Sequence, residues 1–545
     1  MGRQRSFIFS NLLAALPVAA LLLGPLLSSQ AVAAFEMPPK NPYLADSNYA
    51  MGHGDSAQQD AVPQAGPIGP TRVLDERELQ YTFTGPGFFG INTSGVYADG
   101  RRAFWGNGLD RLVKLDYDSY QIVAEKFFPD VERYSLAQSE QSIAKFEENN
   151  SGPFAIYNAF REAGKLRDLS NIYTLLDRDN TYYVGSKSGL ITAYGDQDPQ
   201  DSRSPIVELR HFRLPAEVSG PIMGLNMTYD GWLIAATEHG YLVAIKRDFS
   251  DYRVVRINHS EGAENKSTGP AGYGWIRNGF AIDADGGIYI ASQEHMHKVV
   301  WTGDQLSLEE SDGAWSEPYL NGWGHGSGST PTLMGFGQED QFVVITDGQP
   351  QMNLVLFWRN AIPDGWQQLP GAPSRRIAGQ LPVTMDDPGL TEIQSEQSVV
   401  VAGYGALVVN NHPRNIPWYL PRQAGALLVS YLGSNPLHQP YGVQKFEWDP
   451  AARALKLDWV NAGVSSPSAV PIVGVGSDTV YLIGARDNQW TLEAMNWDTG
   501  ESRFHYVIGG QRYNVLFAGT LLDDDGRIHY GTPWGRVRLD IDESP

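Results

Sequence analysis

Four segments of this chain repeat one pattern. Each has a short strand, an acidic or Asn/Gly turn, a second strand of aromatic and β-branched residues, a Gly-containing turn and a third alternating strand. They read NIYTLLDRDNTYYVGSKSGLITAYGD at 171–196, GLNMTYDGWLIAATEHGYLVAIKRD at 224–248, NGFAIDADGGIYIASQEHMHKVVWTGD at 278–304 and GTLLDDDGRIHYGTPWGRVRLDID at 519–542. Less regular copies start at Gly90, Ser329, Ser398 and Ser468. The period is roughly 50 residues where insertions are small, the size of a four-stranded propeller blade. The pattern predicts an all-β chain forming a single β-propeller of about eight blades, with seven left open because insertions blur two repeat boundaries. The final unit supplies three strands before the chain ends. The run Leu79-Gln80-Tyr81-Thr82-Phe83 is expected to add its missing outer strand, closing the ring and removing exposed sheet edges.

Around this core the chain divides into three. Residues 1–34 have the layout of a secretory signal peptide: Arg3 and Arg5, an apolar stretch over 7–27, and small residues at 31–34 that suit cleavage after Ala33 or Ala34. An uncleaved membrane anchor is the alternative, since the apolar run approaches spanning length at roughly 20 residues. Residues 35–70 are rich in Gly, Pro, Ser and Gln without strand or helix period, and read as an extended arm. The propeller occupies 71–545, interrupted by a helical insertion at about 135–168. There SEQSIAKFEE and FAIYNAFREAGKL place Tyr157, Phe160 and Ala163 near helical spacing, a modest amphipathic face suited to packing on the rim or, alternatively, to a substrate lid.

Composition removes several functions. Hydrophobic residues make up 42% of the 545 residues and charged residues 19%, an ordinary globular balance. The absence of cysteine excludes disulfides, a thiol nucleophile, cysteine zinc sites and a covalently attached c-type haem. The net charge of −21, without any clustered basic stripe, excludes nucleic acid as a natural partner. A periplasmic or secreted protein with a small-molecule substrate, or with a protein partner, is the expectation.

The units resemble the PQQ-like repeat, the blade of bacterial quinoprotein dehydrogenases and of non-enzymatic scaffold propellers. The resemblance is carried by NTYYVGSKSGLITAY from Asn180, by Ala494-Met-Asn-Trp-Asp-Thr-Gly-Glu501 and, more loosely, by KLDYDSYQIVAEKFF from Lys114. It covers most of 71–542 and implies a quinoprotein-like propeller fold, with pyrroloquinoline quinone as the cofactor of the enzymatic branch; calcium-dependent lactonase propellers share the general shape. Two departures stand out. Phe504 and Tyr506 follow Gly500 where the family places a Trp, and the pair of adjacent cysteines typical of the quinone site is missing.

Candidate site residues lie where inner strands begin, because those positions line a propeller's channel mouth. Asn92, Asn226 and Asn278 are amide donors suited to an oxygen-ligated Ca²⁺ on the axis. Two loops are richer. NGWGHGSGSTPT at 321–332 sets Trp323 and His325 among glycines, and VVNNHPRNIPWYLPRQAG at 408–425 holds Asn410, Asn411, His412, Arg414, Trp418 and Arg422. Arginines beside aromatic and amide groups suit an oxyanion, with Arg277 a further candidate, and His325, His412 or Glu396 suits acid–base chemistry. His295 and His297 alternate on one strand and so share a face, a weak metal signal, and His53 lies on the arm, which can fold across a channel mouth. Two readings stay open. One is an enzyme binding a small organic substrate at one mouth, as a quinoprotein-like oxidoreductase or a Ca²⁺-dependent hydrolase. The other is a non-enzymatic cell-envelope scaffold. A single pocket shared by the two loops favours the enzyme.

Overall fold

The computed structural model describes residues 35–87, 90–129, 131–165, 172–265, 274–517 and 519–541, so the signal segment 1–34 lies outside the described residues. Among them the strands form eight sheets, each with the four antiparallel strands of a blade. Starting from Ile91–Thr93, Thr174–Leu176, Ile222–Met227, Ala281–Ile282, Thr332–Met334, Val400–Ala402, Ile472–Gly474 and Leu521–Leu522, these innermost strands define blades one to eight. The eighth blade lacks a fourth strand of its own after Arg536–Leu539. Leu79–Thr82 pairs antiparallel with that strand and completes it, as the sequence predicts. The fold is a β-propeller, and the described residues form eight blades.

The strands are apolar on both faces because every sheet is sandwiched between two others. Trp232–Thr237 reads WLIAAT, and its Leu233, Ile234, Ala235 and Ala236 are all buried. The acidic turns have a specific task. In LLDRDN, Asp177 accepts the backbone N–H groups of Asp179 and Thr181 on one oxygen and the Tyr183 hydroxyl on the other. Asp283 does the same for Asp285, Gly287 and Tyr289, and Asp523 for Asp525, Arg527 and the His529 imidazole. One carboxylate thus closes each turn and ties down an aromatic ring six residues on. Much of the chain's acidity at these repeats is structural.

The segment read as an extended arm runs through the middle of the ring. Its residues hydrogen-bond successively to every blade. Asn41 donates to the carbonyl of Met227, the Tyr49 carbonyl accepts from Thr93, and that of Ala50 from Leu176. The carbonyls of Ser56, Ala57, Gln59 and Asp60 accept from Ile282, Leu333, Val401 and Val473, while the Asn48 N–H donates to Asp524. A segment that reaches the innermost part of all eight blades lies on the ring axis. Residues 41–62 are therefore a central plug, with Leu44, Tyr49, Ala50, Met51, Ala57 and Val62 buried. Its last residues, Ala61–Val62, and Arg72–Val73 beyond it pair in parallel with the inner and outer strands of blade seven.

The helical insertion forms α1, Leu136–Glu148, and α2, Gly152–Lys165. A capping box starts α1: Ser135 Oγ accepts from the Gln138 N–H and Gln138 Oε1 accepts from the Ser135 N–H. The face of α2 that packs differs from the sequence expectation. Ala155, Ile156 and Ala159 are buried against a third helix, α3, Gly425–Leu432, whereas Tyr157 and Phe160 are exposed. Small residues at the contact let the two backbones approach closely.

Candidate functional site

A cavity of about 640 Å³ opens at the mouth where the inner strands begin. Every blade contributes to its wall, and the plug residues Tyr49, Gly52 and His53 form part of it. The loops at 321–332 and 408–425 both reach it, through Trp323 and His325 and through Asn411, His412 and Arg422. Trp323 is flanked edge-on by the two imidazoles, its ring centroid 6.3 Å from that of His325 and 6.2 Å from that of His412. Burial pushes the imidazoles of His325 and His412 below their usual range, and nearby Glu396 and Glu392 pull the other way. Both are thereby favoured as neutral bases.

The cations expected to take an oxyanion are already matched. Arg277 meets Glu396 at 2.7 Å and also donates to the His325 carbonyl at 3.2 Å. Arg422 pairs with Glu392, which also lies 3.5 Å from His412 Nε2. Glu392 received no attention in the sequence, because a lone Glu between turn residues carries no signal. With each arginine partnered by its own carboxylate, the cavity suits a neutral ligand better than an anion.

Of the other candidates, Asn92 and Asn278 line the cavity, whereas Arg414, Trp418, Asn410 and Asn226 do not. Arg414 is exposed, stacks on Tyr441 with its guanidinium carbon 5.4 Å from the ring centroid, and is absent from the cavity wall, as is Trp418 at 94% exposure. Asn410 is buried as a loop brace, donating to the Tyr441 carbonyl and accepting the His412 N–H. Asn92, Asn226 and Asn278 spend their amides between blades: Asn92 exchanges with Thr174, Asn226 donates to Ser56 and Phe280, and Asn278 donates to Ser327 and Ser329. Among the described residues no group of three or more His, Asp or Glu side chains suited to a metal occurs. Pyrroloquinoline quinone is a tricarboxylic acid. Its charge would need free cations, and Arg277 and Arg422 are both engaged, so the residues present do not fit it.

His295 and His297 lie on His295–Trp301 in blade four. His295 stacks on His259 at 4.1 Å, and His297 is buried between the hydroxyls of Ser292 and Ser316. Burial, with neighbouring imidazoles, lowers His295 to about 4 and His297 to about 3. These values lie below the unfolded value of about 6.5. The unfolded chain therefore takes up more protons as pH falls through that window, and stability is full above pH ~6.5 and lost towards the folded values. At about 1.4 kcal/mol per unit, His297 alone contributes on the order of a few kcal/mol. The urea midpoint is expected to fall between pH 6.5 and 4, and His297→Gln to flatten that fall. An equal slope in the variant refutes the assignment.

Comparison with known proteins supports the class that the fold and cavity define, an eight-bladed β-propeller with an axial cavity. The quinohemoprotein alcohol dehydrogenase of Comamonas testosteroni superposes with a TM-score of 0.52 at 12% identity, over 91% of this chain and 78% of that one. The alcohol dehydrogenase ADHIIG of Pseudomonas putida HK5 gives 0.51, also at 12%, over 91% and 81%. At such identity the likeness is one of fold. No family model matches the chain. An uncharacterized protein of Archaeoglobus fulgidus is 34% identical over 519 residues, 92% of this chain and 89% of the relative, and this chain belongs to its family. Among the described residues no helix is long and apolar enough to cross a membrane.

Proposed function

We propose that this protein is an exported enzyme that binds a small, neutral organic molecule in the axial cavity of its propeller. The carrying observation is that two loops roughly 80 residues apart, one Gly-rich with Trp323 and His325 and one Pro-rich with His412 and Arg422, close on one cavity of about 640 Å³, in the range of ligand sites. Blade closure alone does not require Trp323 between two imidazoles. Export is supported by the layout of residues 1–34. The partnering of Arg277 by Glu396 and of Arg422 by Glu392 supports a ligand without net charge.

Saturation-transfer NMR with a panel of small neutral esters, lactones and amides tests the reading. The wild-type protein is expected to give saturable signals, and Trp323→Ala to weaken them at least about tenfold, or about 1.4 kcal/mol, at an unchanged melting temperature. A panel without a saturable member, or a loss of binding that tracks a loss of stability, overturns it.

A further inference from the structure

Three polar side chains, two of them in the wall of the axial cavity and one buried behind it, are aligned in a chain. His53 Nδ1 lies 2.7 Å from Asp60 Oδ2, and His53 Nε2 lies 3.4 Å from Ser398 Oγ. The Asp60 side chain is wholly buried, and no partner other than His53 meets it among the described residues: its second oxygen is without a hydrogen bond. A carboxylate held that way requires an N–H on Nδ1, which leaves the Nε2 lone pair to face Ser398. Ser398 Oγ in turn accepts the backbone N–H of Thr330 at 3.2 Å, so its own proton is free to point at the imidazole. Both His53 and Ser398 line the cavity.

Two further observations point to chemistry rather than to a simple clasp. Gln397 Nε2 and Asn411 Nδ2 are buried, lack any hydrogen-bond partner among the described residues, and belong to residues of the same cavity wall. A buried amide left unpaired is destabilising, and such donors suit an oxygen that becomes negative during reaction. The backbone is also strained: His53, Gln58 and Asp60 have φ of 62°, 63° and 52°, left-handed values at three non-glycine positions in eight residues.

We propose that Ser398, His53 and Asp60 form an acyl-transfer centre acting on neutral carboxylic esters or lactones, with Ser398 as nucleophile, His53 as general base and Asp60 orienting the imidazole. The proposal rests on the reading of the axial cavity as a small-molecule site and names its chemistry. Ser398 Oγ attacks the carbonyl carbon as its proton passes to His53 Nε2, and Gln397 and Asn411 are the donors for the oxyanion. The bond from that carbon to the leaving oxygen then breaks as His53 returns the proton to it. Water repeats the sequence on the acyl-serine, releasing the acid and restoring the hydroxyl. One ester and one water become one acid and one alcohol, with no change of oxidation state.

The test uses the full chain, a fluorophosphonate probe with peptide mass spectrometry, and hydrolysis of p-nitrophenyl acetate. The expected result is a single phosphonyl adduct on Ser398 of the wild-type protein. Ser398→Ala should lose the adduct, and both it and Asp60→Asn should slow hydrolysis by about 10²–10⁴-fold. No adduct on wild-type Ser398, with ester binding intact, overturns the acyl-transfer centre and leaves the binding site standing. Absence of both adduct and binding overturns the two together. The wild-type adduct needs no variant to fold, so a destabilised plug in Asp60→Asn does not rescue the idea.

Discussion

A chain lacking residues 36–62 is expected not to form a cooperatively folded propeller. The plug donates to or accepts from all eight blades, and each such bond is worth about 0.5–1.5 kcal/mol net. It also buries Leu44, Tyr49, Met51 and Val62, at roughly 1.5–3 kcal/mol for each large apolar side chain. Together these match or exceed the net stability of about 5–15 kcal/mol on which a folded protein rests. Removing the plug also strips partners from the inner strands. Buried groups such as the N–H of Leu333 and of Val401 then face an empty axis. Near-UV circular dichroism and urea denaturation of the truncated chain measure the effect. A cooperative transition at the midpoint of the full chain would show that the ring closes without its plug.

Lys114→Met should destabilise the protein by about 3–5 kcal/mol, the usual cost of removing one partner of a buried ion pair. Lys114 on the third strand of blade one is paired with Asp196 at the end of the third strand of blade two, with side-chain exposures of 0% and 2%. The ammonium also donates to the Ser204 carbonyl at 2.7 Å, and the Tyr97 hydroxyl donates to Asp196 at 2.9 Å while accepting the Trp105 indole N–H at 3.0 Å. Burial pushes Lys114 down and Asp196 up, and their mutual attraction opposes both. Taking the lysine away leaves a carboxylate in a dry inter-blade seam. Replacing both, as Lys114→Met with Asp196→Leu, should recover most of the loss, because two apolar groups need no partners there. Chemical denaturation of the three variants decides it: a double variant as unstable as the single one would mean the pair matters for its shape rather than its charge.

Much of the site's wall was visible in the linear pattern. Trp323, His325, Asn411 and His412 stood out because Gly- and Pro-rich loops carrying aromatic and imidazole groups have no role in a strand. Their partners did not. Glu392 and Glu396 neutralise Arg422 and Arg277, and nothing in the spacing of those residues foretells which carboxylate meets which guanidinium. The asparagines read as cation ligands at Asn92, Asn226 and Asn278 share a position at the start of an inner strand. Position alone does not reveal that each amide is consumed by the neighbouring blade or by the plug.

Local chemistry wrote the blades into the chain. Acidic turns that cap their own loops and strands apolar on both faces are short-range properties, so the blades follow from residues close in sequence, whereas the count of eight and the pairing of Leu79–Thr82 with Arg536–Leu539 belong to the closed ring. The plug and the Ser398–His53–Asp60 alignment come from a different source. Residues 35–70 lack any periodicity because their hydrogen bonds are made one at a time to eight separate strands. His53 and Ser398 are 345 positions apart and meet only because ring closure brings the sixth blade to the axis. Periodicity records repeated local burial, whereas an axis shared by eight repeats exists only once they have assembled.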